Sequence, residues 1–227
     1  MTVVDLLPLV MLGAVLGLDV VSFPQMMISR PIVAATLAGA LLGEPARGLM
    51  VGVLLECFAL ETLPVGASRY PEWASASVVA GSLLATAPSA GPGVLTLAVL
   101  VGLVVAWVGG WSMVQVRRVN AHLAAQRHAA VARGSRRVVE GLQIWGLSLD
   151  LLRGAALTLV SLLLATPATH RLLAFWNVSD RLSRAVVVGL AASVAAAAVW
   201  KLFHAVAGAR WWMFGGIVAG LLLMAVR

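Results

Sequence analysis

Apolar residues run through this chain in blocks, and the polar residues gather in short breaks between them. The first block covers residues 3–23 and holds two acidic side chains, Asp5 at its start and Asp19 near its end. Gln25 and then Ser29-Arg30-Pro31 follow. Proline suits the first position of a helix, and the residue before it is pushed away from helical geometry. A helix is therefore predicted from Pro31 to about Leu42, closed by Gly43-Glu44-Pro45. Such a helix reaches only about 18 Å, whereas the hydrocarbon core of a bilayer is about 30 Å thick. It is too short to cross.

Pro45 opens the next predicted helix, which runs to about Thr62. A polar break marked by proline and glycine occupies residues 63–72, and a second short apolar run follows over residues 73–87. Short, interrupted apolar segments are the sequence sign of discontinuous or re-entrant helices. Irregular backbone at membrane depth persists only where it is buried in protein or lines a cavity. Residues 1–88 are thus the place to look for a binding site.

Residues 94–116 form an apolar run long enough to span. The stretch from Arg117 to Arg137 is basic, with no acidic residue before Glu140, and Val119, Leu123, Ala130 and Val131 recur at amphipathic spacing. It reads either as a helix on the cytoplasmic surface beside anionic lipid or as a solvated loop that sets topology. We take residues 117–140 as a basic cytoplasmic connector. Residues 144–227 then carry the C-terminal membrane helices, with apolar runs over residues 144–165, 186–200 and 211–226. Residues 166–184 are polar and read as interfacial. Trp200, Trp211 and Trp212 suit an interfacial aromatic belt. No direct repeat is visible. Short broken segments near both ends are compatible with an inverted one.

Composition sharpens this picture. Of 227 residues, 61% are hydrophobic and only 11% are charged, against about 25% charged in soluble domains. The fold class expected is all-α, a polytopic integral membrane protein with one membrane domain. The net charge of +7 would suggest nucleic acid in a soluble protein. Here the basic residues sit in short stretches between apolar blocks, as membrane topology requires, and no nucleic-acid partner is expected. The first apolar block has no basic residue before it, so it reads as a retained segment. The lone Cys57 and the scattered His122, His128, His170 and His204 offer no metal spacing. There is no glycine-rich phosphate loop and no nucleophile–base pair, so no cofactor and no catalytic residue is expected.

A charge at the bilayer centre costs roughly 2.5–3.5 kcal/mol on insertion scales, so charged residues inside apolar blocks face a partner or a cavity. Glu56 and Glu61 lie on one helix about 140° apart and do not form a carboxylate pair. Glu56 can serve an ion pair or a site, and Glu61 adjoins the break. Arg30 stands at a helix N-terminus, where free backbone N–H groups also attract electronegative atoms. Gln25 offers two donors and an acceptor. Arg69 and Glu72 flank the turn, placed to pair with each other or to contact ligand. Asp19 is a candidate buried partner for one of these arginines. Together with Gly66 and Ser68 of the break, Gln25, Arg30, Glu56, Glu61, Arg69 and Glu72 make up the candidate substrate-binding set.

The run Ser29-Arg30-Pro31-Ile32-Val33-Ala34-Ala35-Thr36-Leu37-Ala38-Gly39, with Leu42-Gly43-Glu44 after it, carries a resemblance. So do Gly48-Leu49-Met50-Val51-Gly52, Leu55-Glu56, Val65-Gly66-Ala67 and Pro71-Glu72. In this order the chain resembles the IIC subunit of the mannose/fructose/sorbose-family sugar phosphotransferase system, most closely over residues 17–82. Where that family carries an alanine-rich stretch ending in Pro-Asp, this chain has Ser68-Arg69-Tyr70-Pro71-Glu72. The resemblance implies a sugar permease of the bacterial inner membrane that moves a hexose inward. It further implies pairing with a IID membrane subunit, phosphate relay by cytoplasmic IIA and IIB proteins, an inverted repeat and a larger oligomer. Two other readings stay open on the residues alone: a transporter or channel of similar fold uncoupled from phosphorylation, and a structural or regulatory membrane subunit that moves nothing.

Overall fold

The computed structural model describes residues 3–20, 22–60 and 69–225, and all regular structure among them is helical. The helices are α1 (Val3–Asp19), α2 (Pro31–Leu41), α3 (Pro45–Ala59), α4 (Trp73–Thr86), α5 (Pro92–Gln126), α6 (His128–Ala132), α7 (Arg136–Ala174), α8 (Asp180–Phe203) and α9 (Ala209–Ala225). Pro31, Pro45 and Pro92 each open a helix, at the end where a missing N–H costs nothing. Gly43, at φ 79°, closes α2. Its N–H donates to the Ala40 carbonyl at 3.1 Å and the Glu44 N–H donates to the Gly39 carbonyl at 2.8 Å. This is the Schellman arrangement that satisfies the last free carbonyls.

The short helix α4 is the hub. It packs on α1, α2, α3, α5 and α7, and every residue from Ala74 to Ala85 is buried. Its two ends are held by charge. The Glu72 carboxylate accepts the Ser75 N–H at 3.2 Å at the N-terminus. At the other end Arg47 of α3 donates to the Ala87 carbonyl at 2.7 Å. Both signs match the helix dipole.

Close approach of α2, α3 and α4 depends on small residues. A Cβ on Gly48 of α3 would lie 2.2 Å from the Ala35 carbonyl oxygen of α2, and one on Gly81 of α4 would lie 2.7 Å from the same atom. Without aqueous hydrophobic drive between helices in lipid, this close van der Waals packing is what associates them.

α5, α7 and α8 are long and apolar enough to cross a membrane, whereas α2 and α4 are shorter apolar helices. With 11 and 14 residues, the latter reach about 16 and 21 Å and cannot span alone.

One expectation needs correction. Residues 117–137 do not form a separate surface helix. α5 is continuous for 35 residues, α6 is a single short turn, and α7 begins at Arg136 and runs for 39 residues. No glycine or proline interrupts the chain between Gly110 and Gly134, so helix persists to Gln126 and resumes at His128–Ala132 before Gly134 turns the chain at φ 73°. The basic stretch is thus the tip of a long hairpin. Residues 166–174 continue α7 past Pro167 as regular helix.

Candidate functional site

The end of α1 and the loop after it are tied together by one carboxylate. Asp19 is buried and accepts the backbone N–H groups of Met26 at 2.6 Å and Ser29 at 2.9 Å. It pairs with these main-chain donors instead of with an arginine, as the sequence had suggested. The reason is geometric: the loop folds back over the helix end and presents unpaired N–H groups that must be satisfied. Inside that loop Gln25 and Met27 sit at φ 58° and 62°. Non-glycine residues seldom adopt such values, and they cluster at functional sites. Gln25, Met26 and Met27 are exposed at its tip.

Arg30 and Glu56 come together at the N-terminus of α2. The Arg30 Nε donates to Glu56 Oε1 at 2.7 Å, and its Nη2 reaches the same oxygen. The other carboxylate oxygen accepts the Ile32 N–H at 3.2 Å. Glu56 therefore spans the first turn of α2 from α3, engaging both the arginine and a free helix-end donor. The pair is not sealed, because the side chains keep 24% and 20% of their exposure. A charged pair with a solvent-open edge can exchange one of its hydrogen bonds for a ligand hydroxyl.

Arg69 and Glu72 do not pair with each other. The Arg69 guanidinium lies 4.7 Å above the Trp107 ring and donates to the Trp107 carbonyl at 3.4 Å. Glu72 is fully buried and caps α4, and its own N–H donates to the Ala106 carbonyl at 2.9 Å. The turn lies flat on α5 because Gly109 and Gly110 leave room for it. A Cβ on Gly110 would stand 2.4 Å from the Tyr70 carbonyl oxygen, and one on Gly109 would stand 2.7 Å from the Glu72 Cβ. Glu61, Gly66 and Ser68 lie outside the described residues. Of the expected set, the structure brings Arg30 and Glu56 together, places Gln25 on the loop leading into them, and holds Arg69 and Glu72 against α5.

Sequence reasoning passed over a second polar cluster. Asp150 and Arg153 of α7 are buried and joined at 3.2 Å. Ser22 donates to Asp150, and Arg153 also donates to the Gly17 carbonyl at 3.5 Å. Close by, Arg117 donates to the Tyr70 hydroxyl and stacks 4.9 Å above its ring. The signal was present as two charges three residues apart in an apolar run, Asp150 and Arg153. What the chain alone could not show was the remote partners, Ser22 and the Gly17 carbonyl.

The Oγ atoms of Ser75 and Ser77, at the start of α4, are buried with no hydrogen-bond partner among the described residues. Among those residues no group of histidine, cysteine, aspartate or glutamate could hold a metal ion.

Comparison with known proteins places this geometry in context. The profile of the family described as "PTS system sorbose-specific iic component" matches residues 3–183. The chain is 28% identical over 190 residues to the fructose permease IIC component of Bacillus subtilis, covering 83% of this chain and 68% of that one. A shorter match of 55 residues, 40% identical, joins it to the sorbose-specific EIIC component of Klebsiella pneumoniae, over 24% of this chain and 21% of the relative. The mannose-specific EIIC component of Escherichia coli K12 is 38% identical over 55 residues, again 24% of this chain and 21% of the relative. Two solved structures share the fold, each at 20% identity and covering 100% of this chain and 92% of theirs. One is titled "Structure of membrane protein", with a TM-score of 0.81. The other is a cryo-EM structure of the mannose transporter ManYZ with microcin E492, with a TM-score of 0.64.

Proposed function

The chain belongs to the sorbose-specific IIC family of the phosphotransferase system, and we propose that it is the subunit through which a hexose-type sugar crosses the bacterial inner membrane. In this reading the whole chain acts as one multi-pass membrane domain. It works beside a IID membrane subunit within a larger oligomer, and cytoplasmic IIA and IIB proteins deliver the phosphate. The sugar meets the Arg30–Glu56 pair, Gln25, and the residues of the break, Glu61, Gly66, Ser68 and Arg69, while the buried Glu72 caps α4.

The observation that carries the reading is the half-open Arg30–Glu56 pair at the start of a helix too short to span. A sugar hydroxyl both donates and accepts, so it can bridge a carboxylate and a guanidinium. Non-spanning apolar helices whose ends point into the protein are where membrane transporters place such sites.

The test is uptake in proteoliposomes holding the chain with its membrane partner and soluble phosphate carriers. Glu56→Gln keeps an acceptor for the Ile32 N–H but removes the charge. A hydrogen bond to a charged group is worth roughly 1.5–3 kcal/mol, so sugar affinity should fall about ten- to a hundredfold with the melting temperature nearly unchanged. Normal uptake by this variant would remove the pair from the site. Uptake that proceeds without the phosphate carriers would favour an uncoupled transporter, and no uptake under any condition a structural subunit.

Topology follows from the same reading. The hairpin tip at residues 117–137 should face the cytoplasm, since basic short loops are retained inside. In a Cys57→Ser background, Ser135→Cys should resist an impermeant thiol reagent on intact cells and react after permeabilisation. Labelling of intact cells would invert the topology.

A further inference from the structure

Where α5 and α7 extend toward the hairpin tip, a cleft opens between them in two connected halves. The inner half has a volume of about 400 Å³ and takes its polar lining from Ser22, Asn120 and Gln143. Leu123, Leu142 and Trp145 wall it and continue into the outer half, of about 360 Å³, where Arg127 and Arg137 join the lining. The Asn120 Oδ1 is buried and has no hydrogen-bond partner among the described residues. A buried acceptor without a donor costs about 1–3 kcal/mol, and this one lies on the residue that lines the inner half.

The two halves differ in chemistry. The inner lining has no formal charge. It offers one hydroxyl, two amides and an indole, which between them bond hydroxyl groups and give an apolar face to a ring. The outer half holds two guanidinium groups. The one nearby carboxylate, Glu140, is engaged by Arg136 at 2.6 Å, so Arg127 and Arg137 have no carboxylate partner among the described residues. The planar fork of arginine matches the oxygens of a phosphate.

We infer that this cleft is a binding site for a phosphorylated monosaccharide, with the hydroxylated ring in the inner half and the phosphate against Arg127 and Arg137. The inference rests on the sugar-translocation reading above for the class of ring. It concerns a second site, built on α5 and α7 with Ser22, and neither Arg30 nor Glu56 lines it. A neutral sugar would use only the inner half and inorganic phosphate only the outer. A sugar phosphate alone engages both, within the size range of small-molecule sites.

The full chain in nanodiscs of neutral phosphatidylcholine supplies the test, with fructose 6-phosphate, fructose and inorganic phosphate titrated separately. Fructose 6-phosphate should bind at least tenfold more tightly than either of the others. Arg127→Gln with Arg137→Gln should weaken it about tenfold or more and leave melting unchanged, because both side chains are exposed. Gly146→Leu provides an independent plug. A Cβ at Gly146 meets only the Asn120 Nδ2, at 3.6 Å, so the longer side chain fills the inner half without striking backbone. It should abolish fructose 6-phosphate binding while inorganic phosphate still binds.

Equal affinity for fructose 6-phosphate and inorganic phosphate would reduce the cleft to a plain anion site and overturn the inference. Unchanged fructose 6-phosphate binding by folded Gly146→Leu would do the same. Displacement of fructose 6-phosphate on adding phosphatidylglycerol to the disc would assign the arginines to lipid headgroups instead. Binding here is read without transport, and the Glu56→Gln test is read by uptake, so either reading can fail alone.

Discussion

α4 and α9 are helices of similar length with opposite relations between composition and burial. α4 carries Ser75, Ser77 and Ser82 and is buried over twelve consecutive residues. α9 carries no charged or hydroxyl residue beyond Arg210, yet Trp211, Trp212 and Leu223 are exposed by 80%, 81% and 72%. In water this would be inverted. In lipid an apolar surface needs no cover, because hydrocarbon is as good a neighbour as leucine, and what must be hidden is polarity. Burial here is organised by small residues and polar ends. Hydrophobicity marks what the chain can leave outside.

The sharpest break of this contrast uses one substitution at two places. Gly48→Ala puts a Cβ 2.2 Å from a backbone oxygen of α2, and backbone cannot rotate away. Overpacking costs about 1–3 kcal/mol and occasionally more, so detergent melting should show a large loss of stability together with poor yield. Gly220→Ala in α9 meets nothing within 4 Å. Alanine is the better helix former by roughly 1 kcal/mol, so melting should stay level or rise. If both variants melt alike, packing of the α2–α3–α4 unit is not what the fold rests on.

The helix caps give the next contrast. Glu72→Ala removes the buried cap of α4, and Ser179→Ala removes the cap of α8, whose hydroxyl accepts the Leu182 N–H in an exposed setting. Loss of a cap costs about 0.5–2 kcal/mol. Glu72→Ala should fall at or above the upper end, since it also leaves a void beside Gly109, and Ser179→Ala at the lower end, because water replaces the hydroxyl. Equal shifts in melting temperature would mean that burial adds nothing to the cap.

The smallest effect is expected at the hairpin tip. Arg136 and Glu140 form an exposed i,i+4 pair, and such pairs contribute about 0.3–0.5 kcal/mol. Glu140→Gln should leave melting within error and should free Arg136 without loosening α7. A clear drop would show that the tip is held by this pair instead of by helix continuity.

Much of the fold was legible along the chain because its signals are local. Pro31, Pro45 and Pro92 mark helix starts, Gly43 marks an end, and the length of each apolar run separates α5 and α7 from α2 and α4. The misread region, residues 117–137, shows the limit of that reading. A change of polarity suggests a change of element, while the backbone, meeting no glycine or proline, stays helical to Gln126. The candidate site was legible as a set of residue types and not as contacts. Glu56 lies 26 residues from Arg30, and Asp150 lies 128 residues from Ser22. Nothing local chooses between those partners and others of the same charge.

What the sequence determined by itself is the solvent of this protein and the places where its helices break, since transfer energy and backbone sterics act residue by residue. Which carboxylate meets which donor was decided only by tertiary structure. Asp19 went to backbone N–H groups, Glu72 to a helix end and Glu56 to Arg30, because in a low-dielectric interior each buried charge must take the donor that folding brings within 3 Å or so of it.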